Sequence, residues 1–447
     1  MLPGPGSKAL PPAEPRESVP SLRSSPSLKD SPQRWWLAAL LTLGMILCYA
    51  QRGTLSVAAP FMMKERNLSP ASMGILLSAF FWSYSFMQVP AGWLVDRVGV
   101  KRAYAAGFAF WSLAASATGF ARRLAELAAL RVALGVGQAV AFPASASTVA
   151  HSFPDRQRGV VTAFYLSGVR VGQALVGGVG AIMIAAYGYE RFFLASGLLP
   201  MLWLVPWMLF WATWERRGVS RGQDPTASAK QGASFAHSLA LLRHRSVLGI
   251  FLGFFAFDYA WFVYVNWLPS YLVLERRFTP AEMGFYSSVP YVAMSLVILL
   301  SGLLSDGLIR RGYAETTVRK ALISAGLLVA CLIVPAGLVE DRVLAVWLMT
   351  ASLCGLGIAA PNTWTLTQAV CAKSIVGTVS GIQNFGGNVG GIIAPALTGY
   401  IAERTHSFAL ALSITGAVLV AGVLSYVLLI SQRVEMTDAT DRRPGPA

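Results

Sequence analysis

Apolar residues run through this chain in blocks of about 20, the length an α-helix needs to cross a hydrocarbon layer, with short polar stretches between them. Twelve such segments can be drawn, over 35–60, 72–95, 103–121, 124–150, 160–186 and 192–214, then 247–268, 282–304, 320–338, 343–370, 374–400 and 407–430. Short segments of alternating hydrophobicity, the mark of a membrane β-barrel, are absent. The pattern predicts an all-α membrane protein. A polar stretch, WERRGVSRGQDPTASAKQGASFAHSLALLRHR, separates the sixth segment from the seventh. The predicted plan is therefore two pseudo-symmetric six-helix bundles, 35–217 and 247–431, joined by a cytoplasmic linker over 218–246. Residues 1–34, rich in proline and serine, are expected to be a disordered cytoplasmic tail, and 432–447 a second cytoplasmic tail.

Composition narrows the classes further. The 447 residues are 55% hydrophobic and 13% charged, about half the charged load of a soluble domain, which excludes a coiled coil, a disordered chain and an ordinary soluble enzyme. A net charge of +15 would suit a nucleic-acid partner, but the basic residues are scattered between apolar segments and form no dense patch. They obey a topological rule instead. With both termini in the cytoplasm, inside segments hold 24 Lys and Arg and outside loops 9, which assigns an N-in, C-in orientation. The four cysteines show no metal-binding spacing and the four histidines no cluster, so neither metal nor cofactor is expected.

The two halves repeat. SPASMG (Ser69 to Gly74) returns as TPAEMG (Thr279 to Gly284), 210 residues later, and Asp96 returns as Asp306 at the same offset. Gly159, Gly168 and Gly172 return as Gly377, Gly386 and Gly390 at an offset of 218. Internal duplication of this kind marks carriers built from two related bundles around a midplane site.

Three arginines fall inside apolar segments: Arg52, Arg131 and Arg170. Each costs about 2.5–3.5 kcal/mol at mid-membrane on insertion scales, so each is expected to face a polar cavity or an acid partner. A guanidinium fork takes a carboxylate through two hydrogen bonds, so Arg52 and Arg131 point to an anionic solute. Glu126 is the acid available to pair with Arg131 instead. Asp258 lies at mid-depth in the seventh segment and Arg170 at mid-depth in the fifth, so Arg170 either adds charge to the site or pairs with Asp258.

The loop after the second segment reads GWLVDRVGVKR, with Gly92, Asp96, Arg97 and Arg102, and a decayed copy, GLLSDGLIRRG, carries Asp306 and Arg310. It resembles the signature loop of the major facilitator superfamily, in which an acid beside a helix end pairs with basic residues and latches the bundles together on the cytoplasmic side. Within that superfamily the chain is similar to the anion:cation symporter family through YAQRGTLSVAAPFM, WSYSFMQVPAGWLVDR, LRVALGVGQAVAFPA, YVNWLPSYL, NTWTLTQAV and GTVSGIQNFGGNVGGIIAPALTGYI. The resemblance implies no enzyme but a monomeric carrier in a bacterial inner membrane. Its solutes would be small organic anions such as hexuronates, aldonates or aldarates, moved by alternating access, often with a proton or other cation. It maps substrate contacts onto Tyr49, Arg52, Tyr84, Thr363, Trp364 and Asn384, with Asn388 on the same cavity-facing helix.

One departure from that family bears on coupling. Proton-coupled members carry an Asp just before the first-segment Arg and a Glu seven residues after the fourth-segment Arg. Here those places hold Gln51 and Gln138, amides that take up no proton, so symport through them is expected to be lost. Two other readings stay open at this point. Organophosphate:phosphate antiporters resemble the fold but use an Arg on the seventh segment, and Ser246 to Leu274 contains no Lys or Arg. A transporter-like anion sensor would need an output domain, for which the linker is the available candidate.

Overall fold

The computed structural model describes residues 32–215, 241–372, 375–431 and 434, and apart from an isolated bridge between Cys371 and Val434 every regular element in them is helical. Most of the expected tails and linker (1–31, 216–240 and 435–447) lie outside the described residues. The first half holds α1 (Arg34–Arg66), α2 (Pro70–Val98), α3 (Val100–Ala117), α4 (Leu124–Gln138), α5 (Ala141–Ser152), α6 (Asp155–Leu198) and α7 (Leu204–Glu215). The second holds α8 (Arg245–Ser270), α9 (Pro280–Arg310), α10 (Glu315–Ala330), α11 (Ile333–Leu338), α12 (Arg342–Val370), α13 (Val376–Thr405) and α14 (Ala409–Leu424). Eight continuous helical stretches among the described residues are long and apolar enough to cross a membrane.

Four expected segments differ in detail, for local reasons. The segment at 124–150 is two helices broken at Ala139 and Val140, because Pro143 has no N–H to offer the carbonyl four residues back. Pro335 acts in the same way on Cys331, whose carbonyl accepts from Val334 at 2.9 Å, and splits the segment at 320–338 into α10 and α11. The segments at 160–186 and 192–214 share α6, with the chain turned at Gly188 by a φ of 80° that only glycine adopts without strain.

The SPASMG and TPAEMG repeats are helix starts. Ser69 Oγ accepts from the backbone N–H of Ser72 at 3.2 Å and Thr279 Oγ1 from Glu282 at 3.3 Å, while a proline occupies the first helical position in both. Those starts seat α2 and α9 across the boundary between the halves. There α2 packs against α13, α6 against α9, and α1 against α8.

This boundary is tight at one end, here called the Asn67 end. A Cβ on Gly74 would stand 2.6 Å from the Pro395 carbonyl oxygen, and one on Gly284 would stand 2.8 Å from Ala181 Cβ. At the opposite, Asp96 end, a Cβ on Gly92, Gly159, Gly302 or Gly377 would meet no atom within 4 Å among the described residues. The two halves thus pack closely at the Asn67 end, while these four glycines at the Asp96 end face open space.

Candidate functional site

Arg52 lies eighteen residues into α1 and Arg131 seven into α4, and the fold brings them together. Arg131 Nη1 donates to the backbone carbonyl of Arg52 at a long 3.5 Å, and both guanidinium groups stand over the Phe80 ring, at 4.5 Å for Arg52 and 5.4 Å for Arg131. Arg52 is also held over Tyr49 at 4.3 Å and Tyr84 at 4.6 Å, so three aromatic faces surround one cation. Tyr84 stacks on Phe80 one helical turn away, the (i, i+4) spacing that puts both on one face of α2.

The partners of these arginines are amides and carbonyls, with no acid among the described residues. Arg52 Nε donates to Gln138 Oε1 at 3.1 Å, and Gln138 Nε2 donates to the Cys48 carbonyl at 2.9 Å, which fixes the amide so that its oxygen faces the guanidinium. Arg52 is 5% exposed and Arg131 3%, yet Arg52 Nη2 and Arg131 Nε have no hydrogen-bond partner. Glu126, the acid available to Arg131 in the sequence, is spent at the start of α4, where Oε2 accepts from the backbone N–H groups of Arg122 and Arg123 at 2.7 and 3.1 Å. Each of these buried guanidinium groups thus keeps an N–H donor unsatisfied.

Gln51 serves a different purpose. Its oxygen accepts from Trp111 Nε1 at 2.7 Å, and its nitrogen donates to Ser112 Oγ and the Ser196 carbonyl, both at 3.0 Å. With its hydrogen-bonding groups used inside the first half, it ties α1 to α3 and α6.

The second half contributes α8, α12 and α13. Asp258 and Asn384 are half-buried, and Asn388 is 7% exposed. Thr363 is buried and turns its hydroxyl to the Ala360 carbonyl on its own helix at 2.9 Å, while Trp364 is exposed and meets Phe254 edge-on at 5.1 Å. The Asp258 carboxylate lies against Gly387, where any side chain would collide with it. Arg170 is half-buried on α6, with Cζ 3.9 Å above the Trp261 ring, and among the described residues no ion pair within 4 Å joins it to Asp258.

The signature-loop residues sit apart from these arginines. Asp96, Arg97, Arg102, Asp306 and Arg310 are exposed at the open end, and Gly92 faces free space. Arg97 covers the Trp93 ring at 5.0 Å, and no ion pair among the described residues involves Asp96 or Asp306.

A model of the Major Facilitator Superfamily matches residues 41–395. The chain belongs to that superfamily. Its members are transporters rather than enzymes, and it is related to the sugar-acid branch. A D-galactonate transporter of Escherichia coli O6:H1 is 31% identical over 417 residues, covering 90% of this chain and 96% of its own length. The probable galactarate/D-glucarate transporter GarP of Escherichia coli K12 is 30% identical over 429 residues, with 90% and 96% covered. Among solved structures, an inward-facing, occupied bacterial homologue of the human lysosomal transporter Spinster superposes with a TM-score of 0.72 at 17% identity, over 90% of this chain and 97% of that one, a likeness of fold.

Residues that sequence reasoning passed over surround these arginines. Phe80 lies under both arginines, the Cys48 carbonyl orients Gln138, and Trp261 supports Arg170. Helical spacing carries a signal for two of them: Phe80 is four residues before Tyr84, and Trp261 three after Asp258. A backbone carbonyl leaves no such trace.

Proposed function

We propose that this chain carries small organic anions, sugar acids foremost, across the bacterial inner membrane by alternating access, acting as a monomer. In this reading residues 35–217 and 247–431 form two six-helix bundles of twelve spans in all. Both termini and the 218–246 linker lie in the cytoplasm, as the bias of 24 inside to 9 outside Lys and Arg supports. The Asn67 end then faces outward, the Asp96 end faces the cytoplasm, and the conformation is open inward. The signature-loop acids Asp96 and Asp306 pair with Arg97, Arg102 and Arg310 only when that inner end closes.

One observation carries the reading: Arg52 is buried at mid-depth with an unpartnered Nη2, an amide where a counter-ion would stand, and a second arginine beside it. Membrane burial of a cation without an acid calls for an anion supplied from outside. Tyr49, Tyr84 and Asn384 supply polar groups of the kind that sugar hydroxyls bond, and Trp364 an apolar ring face. Gln51 and Gln138 cannot exchange protons, so any coupled cation acts elsewhere, and Asp258 is the acid at that depth.

Counterflow of labelled galactonate in proteoliposomes tests this. Arg52→Gln is expected to raise the half-saturating concentration by about tenfold to a hundredfold, the worth of one charged hydrogen-bonding partner of about 1.5–3 kcal/mol. Unchanged uptake would sink the proposal. Binding without counterflow would make the chain a sensor instead.

A further inference from the structure

We infer that Arg170 is a second anion anchor, and that the preferred solute carries two separated acid groups, one received by Arg52 and the other by Arg170. The inference rests on the organic-anion reading above and deepens it.

Depth comes first. Arg170 is fifteen residues into α6, Asp258 thirteen into α8 and Arg52 eighteen into α1. At about 1.5 Å per residue all three lie roughly 20–27 Å along their helices, in the middle of the bundle. Unlike Arg52 and Arg131, Arg170 is half-buried, so part of its side chain stays accessible.

A structural arginine at this depth would be paired with an acid. Asp258 is within electrostatic reach of Arg170 but forms no ion pair with it, and its carboxylate is directed at the backbone of α13 beside Gly387. The Trp261 face supports the Arg170 cation from one side at 3.9 Å without using its N–H donors, which stay available for a carboxylate.

Arg52 and Arg170 flank one residue. The Tyr49 ring lies under Arg52 at 4.3 Å, and a Cβ on Gly172, two residues along α6 from Arg170, would stand 3.0 Å from Tyr49 Cβ. Arg52 and the stretch of α6 that carries Arg170 therefore meet around Tyr49. Position 388, the counterpart of 170 at the 218-residue offset, is Asn. The added cation thus exists on one half only and gives the site a direction.

Charge balance agrees. Arg52, Arg131 and Arg170 place three cations at mid-depth against one carboxyl group, Asp258. A doubly charged anion leaves less of that charge uncompensated in a medium of low dielectric than a singly charged one does.

The test uses the full chain in proteoliposomes, with labelled galactonate counterflow competed by unlabelled galactonate, galactarate and glycerol 3-phosphate, and thermal-shift titrations of the same solutes alongside. Galactarate, with a carboxylate at each end, is expected to compete at a concentration about tenfold lower than galactonate in the unaltered protein. Two neutral replacements, R170Q and R170M, should abolish that margin by weakening galactarate about tenfold more than galactonate. Either one, once shown to be folded by its galactonate-induced thermal shift, suffices. Equal competition by the two sugar acids in the unaltered protein overturns the inference, whatever the variants do. So does a margin that survives either replacement, or glycerol 3-phosphate, with both charges on one phosphate, matching galactarate. If no sugar acid binds at all, the organic-anion reading itself has failed, a result distinct from loss of the margin alone.

Discussion

Ser78 on α2 donates from Oγ to the carbonyl of Ile392 on α13 at 2.6 Å, a hydrogen bond that crosses from one half of the chain to the other. Ser288 on α9 does the same toward the carbonyl of Ala174 on α6 at 2.9 Å. The donors are 210 residues apart and the acceptors 218, the two offsets at which the halves repeat. The same registers seat Gly74 on Pro395 and Ala396, and Gly284 on Gly177 and Gly178. Duplication has therefore reproduced an interface, with each copy of the α2-type helix closing on the opposite copy of the α6-type helix.

This clasp should set how readily the Asn67 end opens. Interhelical hydrogen bonds in membranes average about 0.6 kcal/mol, so Ser78→Ala with Ser288→Ala should lower the closed-to-open ratio by roughly sevenfold. Spin labels at the Asn67 ends of α2 and α13 would report this as a shift toward longer distances. An unchanged distribution would remove the clasp from the mechanism.

Glu403 adds a pH-dependent element at the same end. Its carboxylate accepts from the Ala71 backbone N–H at 2.9 Å, bracing the start of α2 from α13. The Ser69 hydroxyl, then that N–H, hold this carboxyl below its ordinary value of about 4.5 while the end is closed. Opening breaks the contact and returns the group to its ordinary value. Closure is thus favoured by Glu403 above that value, and the contribution fades as pH falls through the lowered one. Acidification below pH 4.5 should shift the label distances toward opening in the unaltered protein, and Glu403→Gln should remove that response. A Glu403→Gln protein that kept the full acid response would refute this role.

Gln138 offers a reversible change of chemistry. Gln138→Glu would put a carboxylate against Arg52 Nε, where the amide oxygen now stands at 3.1 Å, and supply an internal counter-ion that competes with the solute. Apparent affinity should fall when that carboxylate is ionised and recover as lower pH protonates it. Counterflow measured across pH in the variant and the unaltered chain gives the comparison. A variant indistinguishable from the unaltered chain at every pH would show that Arg52 does not meet the solute.

Much of this was legible before any fold was drawn, because a bilayer simplifies the reading. Helix positions follow from runs of apolar residues, and α1, α2, α8, α9 and α12 begin and end within a few residues of the expected segments, apart from the ends of α1 and α9, which run on by nearly two turns into polar residues. The cost of burying a cation in lipid makes Arg52, Arg131 and Arg170 conspicuous on inspection, and the amides at 51 and 138 are visible as letters. What the letters leave open is which groups meet. Gln51 and Gln138 read alike as polar groups in apolar segments, yet one is spent on Trp111, Ser112 and Ser196 and the other holds Arg52. Glu126 was within sequence reach of Arg131, and helix capping claimed it. The outcomes for Gln51 and Gln138 depend on hydrogen-bond partners brought from sixty or more positions away. A local pattern records a residue's own preference for water or lipid; its partner is chosen only when the helices pack.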